Sequence, residues 1–285
     1  MKSSDNTHRR QQNILSQEII QEVRKENCFD FLRYLFAFSL ILAHFCTLTE
    51  TDQYWFISGG MRVKAFFTIT GFLVTYSLLR RRNLKSYVIK RFVRIVPAYI
   101  CAIVFCFIVG LWLTDLSTYD FLHNSQTWKY IISNFMMLNW LEPNLPGAFT
   151  QHHIRVMNAS LWSMKQEMIF YALTPFLIWM IARYGKQKVM IPIILLFCLI
   201  HNWCNVQMQY FMFFFGGMAV LFFLEKYYRY FRWLFSFSLI AFVATNYIII
   251  PYVSDFLYAL EPITFALTII GIAYHMKPMF FFKPL

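Results

Sequence analysis

Apolar runs of about twenty residues, the length a helix needs to cross a bilayer, recur along this chain, and clusters of Lys and Arg divide them. A soluble domain of 285 residues needs more polar surface than 59% hydrophobic and 14% charged residues supply. Mean hydropathy is +0.48. The expected fold class is all-α, a polytopic transmembrane helix bundle of about eight to nine spans plus one re-entrant or interfacial helix.

Residues 1–27 are polar and mixed in charge, with no apolar core after a basic start. They read as a cytoplasmic N-terminal tail and not as a cleaved signal peptide, and 28–285 as the membrane domain. Spans are expected near 29–48, 60–79, 96–113, 161–182, 189–204, 208–224, 233–250 and 255–274. Short loops between them argue for one bundle.

The net charge of +12 would point to nucleic acid on a soluble protein. Here the cations flank spans, so they set orientation by the positive-inside rule, and nucleic acid is not an expected partner. The densest group, Arg80, Arg81, Arg82, Lys85, Lys90, Arg91 and Arg94, reads as a cytoplasmic loop over 80–94. Clusters near 183–188, 226–232 and 277–283 belong on the same side. With the N-terminus inside, this alternation works only if 128–140 does not cross. That stretch is too short to span comfortably and reads as re-entrant or interfacial under the outer leaflet. The basic group suits anionic lipid or a polyphosphate ligand alike.

Six cysteines include no C-x-x-C pair and lie mostly within or beside apolar runs, so neither a disulfide frame nor a zinc site is expected. The pair His201 and Cys204 lacks two further evident ligands, and no metal-binding residues are assigned.

Ionisable side chains inside spans are costly and usually face a cavity. Arg33 and His44 are eleven residues apart, three helical turns, so both project from one face about 16 Å apart along the axis. Asp30 is placed to pair with Arg33. Ser163, Glu167, Tyr171 and Pro175 follow at intervals of four and form a polar stripe on an apolar helix, expected to face the interior.

These residues fall into an ordered set of motifs. Phe29-Asp30-Phe31-Leu32-Arg33 followed by His44 resembles the D-x-L-R and R-x10-H signature of the acyltransferase-3 family of membrane acyltransferases. Phe66-Phe67-Thr68-Ile69-Thr70-Gly71-Phe72-Leu73 resembles its F-F-x-x-S-G-F-L, with Thr70 in place of Ser. Lys90-Arg91-Phe92-Val93-Arg94-Ile95-Val96-Pro97 resembles R-R-x-x-R-I-x-P. Leu161-Trp162-Ser163 with Glu167, Phe170-Tyr171 and Pro175 resembles L-W-S-L-x-x-E-x-x-F-Y-x-x-x-P, and Phe215-Gly216-Gly217 fits a weaker F-x-x-G element. Each piece is weak alone; the ordered set over 28–275 is specific.

The resemblance implies a membrane acyltransferase domain over 28–285 in a bacterial inner membrane. It implies transfer of an acyl group, usually acetyl, from acyl-CoA to a hydroxyl of a cell-surface carbohydrate or glycolipid. It makes His44 catalytic, either as the direct base for the acceptor hydroxyl or after carrying the acyl group itself, and associates Arg33 and the basic group, here Arg82, Arg91 and Arg94, with the CoA donor. Glu167 is expected to join His44 at the catalytic site, orienting it or positioning the acceptor. Acyl-CoA is then a co-substrate, no cofactor is held permanently, and a thioester needs no metal for activation. Membrane lipids are the remaining partners. Arg62 stands where the family usually has a small residue. The chain also ends at Leu285, before the further helix with which the family normally continues, so a truncated and impaired member is expected. Two other functions remain open: a transporter or flippase of a lipid-linked sugar, and an inactive membrane scaffold.

Overall fold

The computed structural model describes residues 27–49, 51, 59–81, 83–151, 155–200, 206–227, 230–243 and 261–275. Among these the chain is all-helical, with no strand; one antiparallel bridge joins Thr114 and Ala148. The helices are α1 (Phe29–Leu48), α2 (Gly59–Arg81), α3 (Leu84–Leu113), α4 (Thr118–His123), α5 (Ser125–Phe135), α6 (Trp162–Tyr184), α7 (Lys186–Ile200), α8 (Val206–Tyr227), α9 (Phe231–Val243) and α10 (Glu261–His275). A 3-10 turn, Ala159–Leu161, precedes α6.

Two described helices are both long and apolar enough to cross a bilayer, over Phe29–Thr47 and Leu84–Leu113. Shorter apolar helices cover Gln209–Leu224, Trp233–Val243 and Glu261–Tyr274. Lengths of 23, 23 and 22 residues give α2, α6 and α8 the reach of a span.

The basic segment 80–94 is not the expected loop. Arg80 and Arg81 end α2, and after Asn83 the chain is helical again from Leu84. The Asn83 side chain caps α3 by accepting from the Ser86 amide at 3.1 Å. Charge therefore marks where the apolar part of α3 begins, while its backbone continues helical through Lys85, Lys90, Arg91 and Arg94. Arg82, His201 and Cys204 lie outside the described residues.

The chain divides into two compact units, Met1–Arg82 with Leu173–Leu285, and Asn83–Ala172. In the first, α1 and α2 run antiparallel. Phe29 stacks on Phe72 at 5.4 Å, and Phe36 meets Phe66 edge-on at 6.3 Å, so positions rising on α1 fall on α2. Helix α8 runs parallel to α2: Tyr210 lies on Phe67 at 5.6 Å, and Phe214 faces Gly71 four residues further along both. Gly71 and Gly217 make this approach possible. A Cβ on Gly71 would overlap the Phe214 backbone carbonyl, and one on Gly217 would overlap that of Thr68. Helix α10 closes the group where the Cys28 amide donates to the Ala273 carbonyl at 2.8 Å.

The second unit is built around α3. Phe121, Tyr130, Leu145 and Ala148 form its core, with Cys106, Phe107 and Leu111 of α3 packed against them. Helix α5 is inside-out by the standards of a soluble protein. Thr127, Tyr130, Ser133 and Asn134 are buried, while Trp128, Ile132 and Phe135 are exposed. Much of its polar face is hydrogen-bonded, although the Tyr130 hydroxyl is buried without a partner. Thr127 Oγ1 donates to Phe121 O at 2.6 Å, Asn134 Nδ2 donates to Tyr130 O at 2.8 Å, and Tyr99 Oη of α3 donates to Asn134 O at 2.9 Å. Eleven residues of helix rise about 16 Å, too short to cross a bilayer.

Candidate functional site

Helix α1 places Arg33 and His44 at the same azimuth to within about 20°. Leu32, Phe36 and Ala43 form its buried side, and Tyr34, Phe38, Ile41 and Phe45 its exposed apolar side. Arg33 and His44 lie on the flank between these sides. Arg33 is largely covered, at 18% side-chain exposure, and its Nη1 stands 3.8 Å from Asp30 Oδ1. His44 is exposed. At the start of α1, burial pushes the Cys28 thiol above its ordinary pKa.

The same unit holds charges that sequence reading leaves out. Arg62, noted only as a departure from the family pattern, is the largest of the fully buried side chains among the described residues, at 1% exposure. Two residues on, Lys64 Nζ meets Glu261 Oε1 of α10 at 2.6 Å, with side-chain exposures of 27% and 12%. The ammonium also sits 4.9 Å from the Phe213 ring centroid of α8. Lys64 and Glu261 are 197 residues apart, so no local spacing signals the pair. A small apolar cleft lies among Ile193, Ile194, Met212, Phe215 and Ile263. Its lining offers no acid, base or hydroxyl for chemistry.

In the second unit, Arg91, Arg94 and Glu167 come together around a tyrosine. On α6, Tyr171 follows Glu167 by one turn, and its hydroxyl donates to Glu167 Oε1. The Tyr171 ring lies 5.4 Å from the Arg91 guanidinium carbon, and the Tyr87 ring lies 5.8 Å from the same carbon. Tyr87 and Arg91 are neighbours at i, i+4 on α3. Tyr87 Oη donates to the Tyr171 carbonyl at 3.0 Å in a buried bond. Arg91 Nε is buried without a hydrogen-bond acceptor. Arg94 is exposed, within electrostatic reach of Tyr171. A guanidinium held by two rings and short of an acceptor is suited to an anionic oxygen.

The expected stripe on α6 is present but is not its most buried line. Ser163, Glu167 and Pro175 are half-buried, whereas Gln166, Phe170 and Thr174, one residue earlier in each turn, are buried. The polar stripe borders the packed side of α6, and Tyr171 alone on it is buried.

A family model described as an acyltransferase domain matches residues 26–276. The chain belongs to this acyltransferase family. The match takes in α1 with Arg33 and His44, α3 with Arg91 and Arg94, and α6 with Glu167. Among curated relatives, an O-acetyl transferase of Shigella phage Sf6 is 32% identical over 182 residues, 61% of this chain and 52% of the relative. The chain thus spans about half the length of the curated relative it matches. No solved structure matches it.

Proposed function

We propose that this protein is an integral-membrane O-acyltransferase that moves an acyl group from acyl-CoA to a hydroxyl of a cell-surface carbohydrate or glycolipid. The observation that carries this reading is the acyltransferase-domain match over 26–276. The phage relative, described as an O-acetyl transferase, favours acetyl as the group moved. The proposed setting is a bacterial inner membrane, with residues 1–27 in the cytoplasm and 28–285 as a polytopic domain. Helix α5 is its re-entrant or interfacial element, its exposed Trp128, Ile132 and Phe135 in contact with lipid.

Acyl-CoA is cytoplasmic and polyanionic. Arg33, Arg82, Arg91 and Arg94 supply its cationic contacts, and Arg80 and Arg81 add long-range attraction. A half-buried Arg91 with an unoccupied Nε supports a phosphate contact there. In the transfer, a ring nitrogen of His44 takes the proton of the acceptor hydroxyl as its oxygen attacks the thioester carbonyl. The carbon–sulfur bond then breaks, the proton passes to the departing sulfur, and CoA leaves as the thiol. Glu167 acts by orienting other groups and does not take that proton itself.

The test is incorporation of radiolabelled acetyl from acetyl-CoA into the envelope glycan of membranes that contain the protein. Label above that of membranes lacking it is expected. Equal label in both, with folded protein present, would contradict the reading.

A further inference from the structure

Glu167 is the carboxylate the family motif places on α6 within this cluster. Its Oε1 accepts from the Tyr171 hydroxyl. The other side of that tyrosine faces Arg91, 5.4 Å from its ring centroid. Tyr87, one turn before Arg91 on α3 and 5.8 Å from it, donates to the Tyr171 carbonyl at 3.0 Å. Four side chains from α3 and α6 thus form one chain of contacts: Glu167, Tyr171, Arg91 and Tyr87.

Each link has a physical consequence. The bond to Glu167 fixes the Tyr171 ring about its last torsion. A phenol that donates to a carboxylate carries more electron density in its ring, so its face attracts a cation more strongly. The ring therefore holds the guanidinium by its face and leaves the N–H edge for another acceptor. Arg91 Nε, buried and without an acceptor, is on that edge. The bond from Tyr87 prevents α3 and α6 from sliding and releasing the arginine. A carboxylate bonded directly to Arg91 would occupy that edge; one bonded through a tyrosine orients the cation and leaves the edge open.

We propose that Tyr171 and Glu167 are positioning residues for Arg91: Glu167 sets Tyr171, and Tyr171 aims the guanidinium at an anionic oxygen of the acyl donor. This rests on the proposed acyl-CoA reading for the identity of the anion, but the contact chain itself does not. Glu167 then acts on donor binding through Tyr171 and does not touch the reacting atoms.

The experiment uses the full-length protein in membranes, with Tyr171→Phe and Glu167→Gln, each of which keeps the size of the side chain. Two readouts are taken. The first is the rate at which phenylglyoxal modifies Arg91, followed by mass spectrometry, with Arg94 as the internal reference. Both variants are expected to raise Arg91 modification several-fold relative to Arg94, and the double variant to do no more than either alone. Unchanged Arg91 reactivity would overturn the positioning role, whatever the donor is. The second readout is the kinetics of acetyl transfer. Both variants are expected to raise KM for acetyl-CoA about three- to tenfold with kcat within about twofold of wild type, effects of the size a weakened single contact gives. A kcat lowered a hundredfold at unchanged KM in Glu167→Gln would overturn the proposal, since Glu167 would then act at the reacting atoms. Altered Arg91 reactivity without any acetyl transfer by the wild type would sustain the contact chain and reject acyl-CoA as the donor.

Discussion

Helices α2 and α8 approach through Gly71 and Gly217, whereas α3 and α5 are joined through the Tyr99 hydroxyl, which donates to the Asn134 backbone carbonyl. The surroundings follow the same division. In the first unit Phe213 and Phe242 both meet Phe265 edge-on. In the second, Asn158 Nδ2 donates to Asn134 Oδ1, Thr114 Oγ1 donates to Pro146 O at 2.8 Å, and Asp115 accepts from Thr150. Both are answers to one problem. Lipid offers no hydrophobic drive between helices, so association depends on close packing of small residues or on hydrogen bonds. Close packing fixes distance. Hydrogen bonds fix direction, and the second unit is where Arg91 and Glu167 depend on direction.

The largest expected effect is on packing in the first unit. Gly217→Leu would drive a side chain into the Thr68 carbonyl and force two backbones apart, a cost of about 3 kcal/mol or more. The expected result is little or no folded protein after detergent extraction, judged by gel filtration. Gly60→Ala is the control. Its new Cβ would meet only Tyr210 Oη, at an ordinary 3.9 Å, and wild-type recovery is expected. Normal yield of Gly217→Leu would mean that α2 and α8 are not held by close approach.

Next in size is the exception to that packing, the pair between Lys64 and Glu261. Lys64→Ala leaves a carboxylate only 12% exposed without its partner, a loss of about 3 kcal/mol. Adding Glu261→Gln should recover most of it. Thermal denaturation of the two single variants and the double checks this, and a Lys64→Ala Tm equal to wild type would show the pair to be solvated.

A smaller effect is expected in the hydrogen-bonded unit. Asn134→Leu removes the acceptor of Asn158 and the donor to Tyr130 O and Glu142 O, at a cost of about 1–3 kcal/mol. The Tm should fall without loss of fold. A Tm that does not move would imply that water already serves these groups.

How far the sequence shows this architecture depends on whether the signal is local. Helix α1 runs Phe29–Leu48, as its apolar run predicts, because polar residues bound it on both sides. The basic stretch 80–94 misleads, because hydropathy follows the solvent around side chains and not the backbone: Lys85, Lys90 and Arg94 keep a helix going while their side chains stay exposed. The bond between Tyr171 and Glu167 is legible as an i, i+4 spacing. That Arg91 joins them is not, because Arg91 and Tyr171 are 80 residues apart in sequence, and the same holds for Lys64 with Glu261. Arg62 reads as an irregularity in a motif, and only the fold reveals it as fully buried.

The proposed chemistry turns on His44. The decisive measurement compares wild type with His44→Ala for transfer of radiolabelled acetyl from acetyl-CoA to envelope glycan, at matched amounts of folded protein. His44 is exposed on α1, so its truncation should leave the fold intact. Label from the wild type and a loss of at least a hundredfold in the variant, the size expected for removing a general base, is the predicted result. Equal transfer by both would contradict the assignment of His44 as the base.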